Sequence, residues 1–235
     1  MKRLTIAICF LLLALSVQAR GIREESELVN DQVRASYAFG MTIGTDMQKA
    51  GLSMNYAAFI DGLKAAMEQE DTKLEREEAL EIVQRAFENA MLRQLAQLRD
   101  EEAMFLEENA ASKGMMVTES GLQYIILEEG KGPKPGPNDT VIVHYEGALA
   151  DGTVFDSSYP QGKPEEIPLD MVIPGWAEGI QLMNMGSKYQ IYIPSNLAYG
   201  SEGVGQLIPP YATLVFTVEL FDIIDGQEPD EEPDE

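Results

Sequence analysis

The sequence predicts an α+β protein, in which an all-helical N-terminal module precedes a strongly twisted antiparallel sheet that wraps one short helix. Proline marks the division, because all 12 prolines lie beyond residue 130 and residues 20–113 contain none. The spacing of apolar residues changes as well, from helical periods in the first part to strand-like runs from Gly121 onward. Composition and periodicity therefore agree on two parts with different secondary structure.

The first two helices are predicted from their apolar spacing and from their ends. Residues 28–50 have helical periodicity and are followed by Gly51, a residue suited to the left-handed position after a helix. Asn55 is expected to begin a second helix, residues 55–68, because its side chain can accept a hydrogen bond from a free N–H of the first turn.

A long third helix is predicted next. Thr72-Lys73-Leu74-Glu75 fits the capping-box pattern that often begins a helix. The apolar stripe that follows continues to Lys113-Gly114. Such a helix would be about 60 Å long at its regular rise per residue. It cannot bury its own stripe, so the apolar faces of this module are interpreted as a core and a dimer seam. A ligand groove along the stripes is the alternative.

Gly40 and Gly44 lie one helical turn apart within the first helix. Each glycine costs a helix about 1 kcal/mol relative to alanine. Their spacing would let another helix approach closely, whereas the alternative is that both are tolerated on an exposed helix.

Four apolar runs in the second part have the composition of strands, namely residues 121–127, 140–147, 189–193 and 213–222. Ala150-Asp151-Gly152-Thr153 has the composition of a hairpin turn. Pro174-Gly175 precedes a short helix-like run from Trp176 to Met183. These elements predict the twisted sheet and the helix that it wraps.

Both termini are expected to lie outside the two folded parts. A basic start, the apolar run Leu4–Leu15 and small residues ending at Ala19 predict a cleaved signal peptide, residues 1–19. The apolar run is short for a membrane span, although a retained anchor is the alternative. Residues 226–235 are acidic and contain proline, which predicts a disordered tail rather than a calcium site. The signal peptide indicates export to the periplasm or cell envelope.

Composition excludes several kinds of site. A formal net charge of −23 disfavours nucleic acid as a partner, because the acidic surface repels phosphate. Cys9, the only cysteine, lies within the predicted signal peptide, which leaves no thiol for a disulfide, a nucleophile or a metal site. His144 is the only histidine and alternates with Tyr145 on a predicted strand, so it is expected on the opposite face. No cofactor and no metal site are expected.

Four segments of the second part resemble the FKBP family of peptidyl-prolyl cis-trans isomerases, in the order and spacing of that family. They are VHYEGALADGTVFDSS (143–158), VIPGW (172–176), IPSNLAYG (193–200) and LIPPYATLVFTV (207–218). The first part resembles the dimerising helical module of Mip-like bacterial FKBPs, for example in SYAFGMTIG. The resemblance implies a helical dimerisation or chaperone domain at residues 20–113 and an FKBP-type isomerase domain at 114–225.

The resemblance also implies a proline pocket. It places four catalytic candidates, Tyr145, Phe155, Asp156 and Tyr199, together with six substrate-binding candidates, Val172, Ile173, Trp176, Leu207, Ile208 and Phe216. Tyr199 would donate a hydrogen bond to a substrate carbonyl, Ile173 would offer its backbone N–H, and Trp176 would form the floor. Leu207 and Ile208 would lie on a loop over the pocket. Without the resemblance, the aromatic residues would be read as core and Asp156 as part of a turn.

The chain departs from the family pattern at three places. Glu165 or Ile167 lies near the position of a usual pocket aromatic, Gln161 stands where an arginine often pairs with the aspartate, and Val204 replaces a histidine found in some relatives. These changes bear on substrate preference and rate more than on the type of reaction.

The function expected from these residues is isomerisation of X–Pro bonds in exported proteins, by non-covalent catalysis in an apolar pocket. The expected partners are unfolded proline-containing clients, a second copy of the chain, and macrocyclic FKBP inhibitors such as rapamycin. The alternative is a periplasmic holdase chaperone or binding module with little isomerase activity.

Overall fold

The computed structural model describes residues 30–226. The predicted signal peptide and the acidic tail beyond Gly226 therefore lie outside the described residues. The chain divides into two compact units between Met91 and Leu92. This division falls inside the third helix, earlier than the predicted domain boundary at 113/114, so the last turns of that helix belong to the second unit. The functional boundary at 113/114 stays a prediction.

The first unit is helical, in agreement with the prediction. The three long helices of the described chain are α1 (Asp31–Lys49), α2 (Tyr56–Glu68) and α3 (Arg76–Ala110). The Asn55 side chain accepts a hydrogen bond of 3.1 Å from the Ala58 N–H and so begins α2. Gly51 follows α1 at a φ of 67°, the left-handed conformation that stops a helix.

The predicted capping box before α3 is wrong. The Thr72 hydroxyl donates to the Leu74 carbonyl at 2.8 Å instead of accepting from the helix. The first helical hydrogen bond runs from the Ala79 N–H to the Glu75 carbonyl at 2.9 Å. The helix therefore begins later than predicted, because a local hydroxyl-to-carbonyl bond competes with the cap.

The helices of the first unit leave their apolar residues largely uncovered. No residue of α1 or α2 is buried, and Ala90 is the one buried residue of α3. Phe39, Tyr56 and Met67 are each at least 70% exposed. In the part of the chain that the structure describes, no helix combines the length and apolar character needed to cross a bilayer.

The second unit is built on an antiparallel sheet. Its seven strands are β1 (Met116–Val117), β2 (Gln123–Glu128), β3 (Thr140–Leu149), β4 (Val154–Ser157), β5 (Glu165–Pro168), β6 (Lys188–Ile193) and β7 (Leu214–Ile224). The strand order is β1-β2-β6-β7-β3-β4, and β5 pairs with the first half of β3. The four predicted runs correspond to β2, β3, β6 and β7, which form the centre of the sheet.

The sheet wraps a short helix, α4 (Pro174–Gln181), as predicted. Trp176 and Ile180 face the sheet and are buried in the core. Gly179 lies so close to β6 that an added Cβ would come within 2.8 Å of the Ile191 side chain. The absence of a side chain at this position thus lets the helix lie directly on the strand.

Candidate functional site

A cavity of about 500 Å³ opens in the second unit. Its walls come from β3, β4, β5 and β7, from residues 171–176 at the start of α4, and from the connection between β6 and β7. Its lining consists of Tyr145, Phe155, Asp156, Ile167, Met171, Val172, Ile173, Trp176, Tyr199 and Phe216. Its size is that of a typical small-ligand pocket, and most of the lining is apolar.

Aromatic rings form the inner surface of the cavity. Trp176 is 4% exposed and meets the Tyr145 ring edge-on, with ring centroids 6.3 Å apart and an interplanar angle of 82°. Phe155 and Phe216 meet in the same way at 5.6 Å and 84°. Edge-to-face contacts of this kind fix ring positions, so the apolar walls are formed before any ligand binds.

Gly147 makes room for two of these rings. It lies on β3 directly opposite Phe216 on β7 and opposite Asp156 on β4. A Cβ at this position would come within 2.7 Å of the Phe216 ring and 2.9 Å of the Phe155 ring. The role of this glycine was not predicted from the sequence, because its neighbours depend on the pairing of three strands.

Asp156 is the one acidic residue among the described residues that line the cavity. The Tyr145 hydroxyl donates to the Asp156 carboxylate at 2.9 Å. Burial, and then this hydrogen bond, raises the pKa of Tyr145 well above its ordinary value, and the charges of Asp156 and Glu165 act in the same direction. Tyr145 is therefore protonated at physiological pH and holds the carboxylate against the cavity wall.

Asp156 has no basic partner within residues 30–226, whose three ion pairs all lie elsewhere. Gln161, predicted to replace the usual arginine, donates instead to the Glu165 carboxylate at 2.8 Å. Within residues 30–226, neither Asp156 nor Glu165 forms an ion pair with a basic side chain.

Two hydrogen-bond donors predicted for the substrate lie at the cavity. Tyr199 is 40% exposed and lines it, so a bound peptide can reach this side chain. The Ile173 carbonyl begins α4 by accepting from the Trp176 and Ala177 N–H groups. The Ile173 N–H makes no backbone hydrogen bond of its own within the described residues.

Eight of the ten predicted site residues lie around this one cavity, namely Tyr145, Phe155, Asp156, Val172, Ile173, Trp176, Tyr199 and Phe216. Leu207 and Ile208 do not line it. Ile208 is 4% exposed in the core, and Leu207 lies on the surface beside it. Their place on a loop over a bound substrate stays a prediction.

The structure adds two residues to the predicted set. Met171 was missed, although it directly precedes the VIPGW segment, and Ile167 was named only as a neighbour of a missing aromatic. His144 lies outside the cavity, where it bonds Ser158 at 2.9 Å and stacks on Tyr159.

Two segments of the chain match models of known protein families. Residues 132–221 match the FKBP-type peptidyl-prolyl cis-trans isomerase family, and residues 32–126 match the domain amino terminal to FKBP-type peptidyl-prolyl isomerase. The two matches together span almost all of the described chain.

Several proteins are similar to this chain over almost their whole length. The chain is 41% identical to the FKBP-type 22 kDa peptidyl-prolyl cis-trans isomerase of Escherichia coli, over 82% of this chain and 96% of that protein. It is 34% identical to the outer membrane protein MIP of Legionella longbeachae, over 95% and 97%. The crystal structure of FkpA from Escherichia coli matches with a TM-score of 0.63 and 35% identity, over 85% of this chain and 99% of that one.

Proposed function

The chain belongs to the FKBP-type peptidyl-prolyl cis-trans isomerase family, and we propose that its reaction takes place in the aromatic cavity around Tyr145, Phe155 and Trp176. Relatives that match over most of their length are named FKBP-type peptidyl-prolyl cis-trans isomerases, and this chain is an isomerase as they are. The single observation that supports this location is the preformed apolar cavity with an exposed tyrosine and a backbone N–H at its edge.

The cavity suits the chemistry of amide rotation. Resonance keeps a peptide bond planar, with a barrier of about 18–20 kcal/mol. At the transition state the X–Pro amide is twisted and its carbonyl is less dipolar than in the planar state. An apolar site that excludes water disfavours the dipolar planar amide relative to the twisted one, so the barrier falls without any nucleophile.

Each polar group then has a positioning role. The Tyr199 hydroxyl and the Ile173 N–H hold substrate carbonyls, while the prolyl ring lies among Trp176, Phe155 and Phe216. Although neither residue lines the cavity, Leu207 and Ile208 belong to the connection between β6 and β7, which would bound a longer substrate. A macrocyclic FKBP inhibitor such as rapamycin would occupy this cavity and compete with peptide.

Tyr199→Phe tests the proposed hydrogen bond. The substitution removes one hydroxyl and keeps the ring, so the packing of the loop is retained. We expect kcat/KM for an X–Pro tetrapeptide to fall about twofold to tenfold, in line with the loss of one neutral hydrogen bond. The measurement is the catalysed cis-to-trans rate, corrected for the folded fraction. Tyr192→Phe, which removes a hydroxyl bonded only to Gln190, is the matched control. An unchanged rate in folded Tyr199→Phe would remove this hydroxyl from the mechanism.

We also propose that the first unit makes the protein a homodimer. Its helices expose large apolar side chains and bury almost none, which is typical of surfaces that another chain covers. Isolated helices of this length are marginal in water, so a second copy would supply the missing core.

Gly44→Leu tests the dimer. Within the described chain a Cβ at Gly44 meets nothing within 4 Å, so a side chain that begins here has open space around its first carbon. If a partner helix crosses here, the leucine should prevent its approach, and light scattering at micromolar concentration should show monomers. Gly62→Leu, at an equally open helical position, is the control. A wholly dimeric Gly44→Leu protein would place the interface elsewhere.

Export and chaperone activity complete the proposal. The signal peptide at 1–19 would send the protein to the periplasm or cell envelope, and the envelope location is supported by the similarity to an outer membrane protein. Apolar residues of the helical unit that the second copy leaves uncovered would bind unfolded proline-containing clients and, because both units belong to one chain, raise the effective concentration of those clients for the isomerase. An aggregation assay on a proline-free client separates this holdase activity from isomerase activity.

A further inference from the structure

The connection between β6 and β7, residues 194–213, carries Tyr199 to the cavity and contains no strand of the main sheet. The strand-like pairing within it is limited to one bridge, between Val204 and Ile208, so the positions of its two ends depend on other contacts. Each end also has a contact with a residue that lies outside the connection.

One carboxylate bonds both ends of this connection. The Ser195 N–H donates to Glu102 Oε1 at 2.6 Å, and the Ser195 hydroxyl donates to Glu102 Oε2 at 2.8 Å. The Thr213 hydroxyl reaches Glu102 Oε1 at 3.4 Å. Ser195 and Thr213 are 5% and 4% exposed, so their polar groups have little access to water. Hydrogen bonds to an ionised carboxylate are stronger than neutral ones.

Ser195 is in turn hydrogen-bonded to the two residues that flank Tyr199. Its carbonyl accepts from the Ala198 N–H at 2.9 Å and from the Gly200 N–H at 2.8 Å. The Gly200 carbonyl in turn accepts from the Tyr211 N–H at 2.9 Å. Tyr199 therefore lies between two residues that are bonded to Ser195, and Ser195 itself is held by Glu102.

Glu102 is itself held in place, because the last turns of α3 pack on the sheet of the same unit. The Gln123 amide donates to the Leu106 carbonyl at 2.8 Å and accepts from Asn109 at 2.9 Å. Phe105 contacts the Tyr192 ring, with centroids 6.3 Å apart. The carboxylate is therefore a fixed point relative to β2 and β6.

We propose that Glu102 is a positioning residue of the isomerase, which holds the β6–β7 connection so that the Tyr199 hydroxyl faces the substrate. This inference rests on the proposed function of the cavity. The proposal also makes the last turns of α3 part of the catalytic scaffold, although α3 contributes no residue to the cavity lining.

The test is a double-mutant cycle in the full chain. Glu102→Ala should lower kcat/KM for an X–Pro tetrapeptide about fivefold, but less than about twofold in a Tyr199→Phe background, because the hydroxyl that Glu102 positions is then absent. Glu107→Ala removes the same charge from an exposed position of α3 and should leave the rate unchanged. Glu102→Gln keeps an acceptor oxygen for the Ser195 N–H and should lie between wild type and Glu102→Ala.

Amide hydrogen exchange gives a second result that does not depend on activity. In Glu102→Ala the Ser195 and Gly200 amides should exchange at least about tenfold faster, while amides of central β7 keep their protection. Glu102→Gln should show a smaller increase at the same two amides, and it replaces Glu102→Ala in both experiments if the alanine variant does not fold.

The two experiments distinguish a failure of the Glu102 proposal from a failure of the proposed function of the cavity. If Tyr199→Phe alone has no effect, the role of the hydroxyl fails, and exchange at Ser195 and Gly200 still decides whether Glu102 anchors the connection. Equal rate losses from Glu102→Ala in both backgrounds would show that Glu102 acts through general stability and would overturn the inference. Unchanged exchange in the folded variants would overturn it as well.

Discussion

Phe155→Ala should lower kcat/KM for an X–Pro tetrapeptide by about tenfold to a hundredfold, which corresponds to the loss of about 1.5–3 kcal/mol of apolar contact. The Phe155 ring forms one wall of the cavity and packs edge-on against Phe216. Its removal admits water beside the rotating amide, which stabilises the dipolar planar state and raises the barrier. The measurement is the catalysed cis-to-trans rate, corrected for the folded fraction at the assay temperature.

Phe221→Ala is the matched control. Phe221 lies on the same sheet and contacts His144 edge-on, but it is 48% exposed and does not line the cavity. We expect this variant to keep the wild-type rate although it loses the same ring. If folded Phe155→Ala retains the full rate, the cavity is not the site of rotation, and the binding-module alternative gains support.

The fold could be predicted where the chain repeats one signal over many residues. Residues 20–113 contain no proline and are long enough to show the period of a helix. The apolar runs that correspond to β3 and β7 are long enough to be recognised as strands. The short strands β1, β4 and β5 were not predicted, because two to four residues show no period and depend on a neighbouring strand. The capping box failed for a similar reason, since the choice of partner by the Thr72 hydroxyl is a local competition.

Site residues could be predicted where they stand at positions that the family resemblance assigns to the pocket. They could not be predicted where their role depends on contacts between residues far apart in the chain. Trp176 and Tyr199 stand in segments that identify the family, and both line the cavity. Gly147 stands in such a segment too, yet its importance comes from the pairing of β3 with β4 and β7. Glu102 lies in an ordinary helical sequence, and its contact with Ser195 joins residues far apart in the chain.

The second large effect is expected at Gly147. Gly147→Ala adds one methyl group against the Phe155 and Phe216 rings, at distances that neither ring can accept without moving. Both rings are packed edge-to-face, so a shift of one displaces the other into the cavity. We expect the free energy of unfolding to fall by about 1–3 kcal/mol, as is usual for overpacking. We expect kcat/KM to fall about tenfold or more, because the space for the prolyl ring shrinks.

Two comparisons make the result specific to the cavity. Gly136→Ala is the matched control, since its Cβ would meet only the Asp139 carboxylate, at an ordinary 3.6 Å. It should change neither the rate nor the thermal transition. The double variant Gly147→Ala/Phe155→Ala should unfold more readily than wild type. Its loss of kcat/KM should be smaller than the product of the losses in the two single variants, because the added methyl group no longer has the Phe155 ring to displace. If the two losses multiply independently, Gly147 does not act on the cavity through Phe155, and the close approach of the three strands serves the core alone.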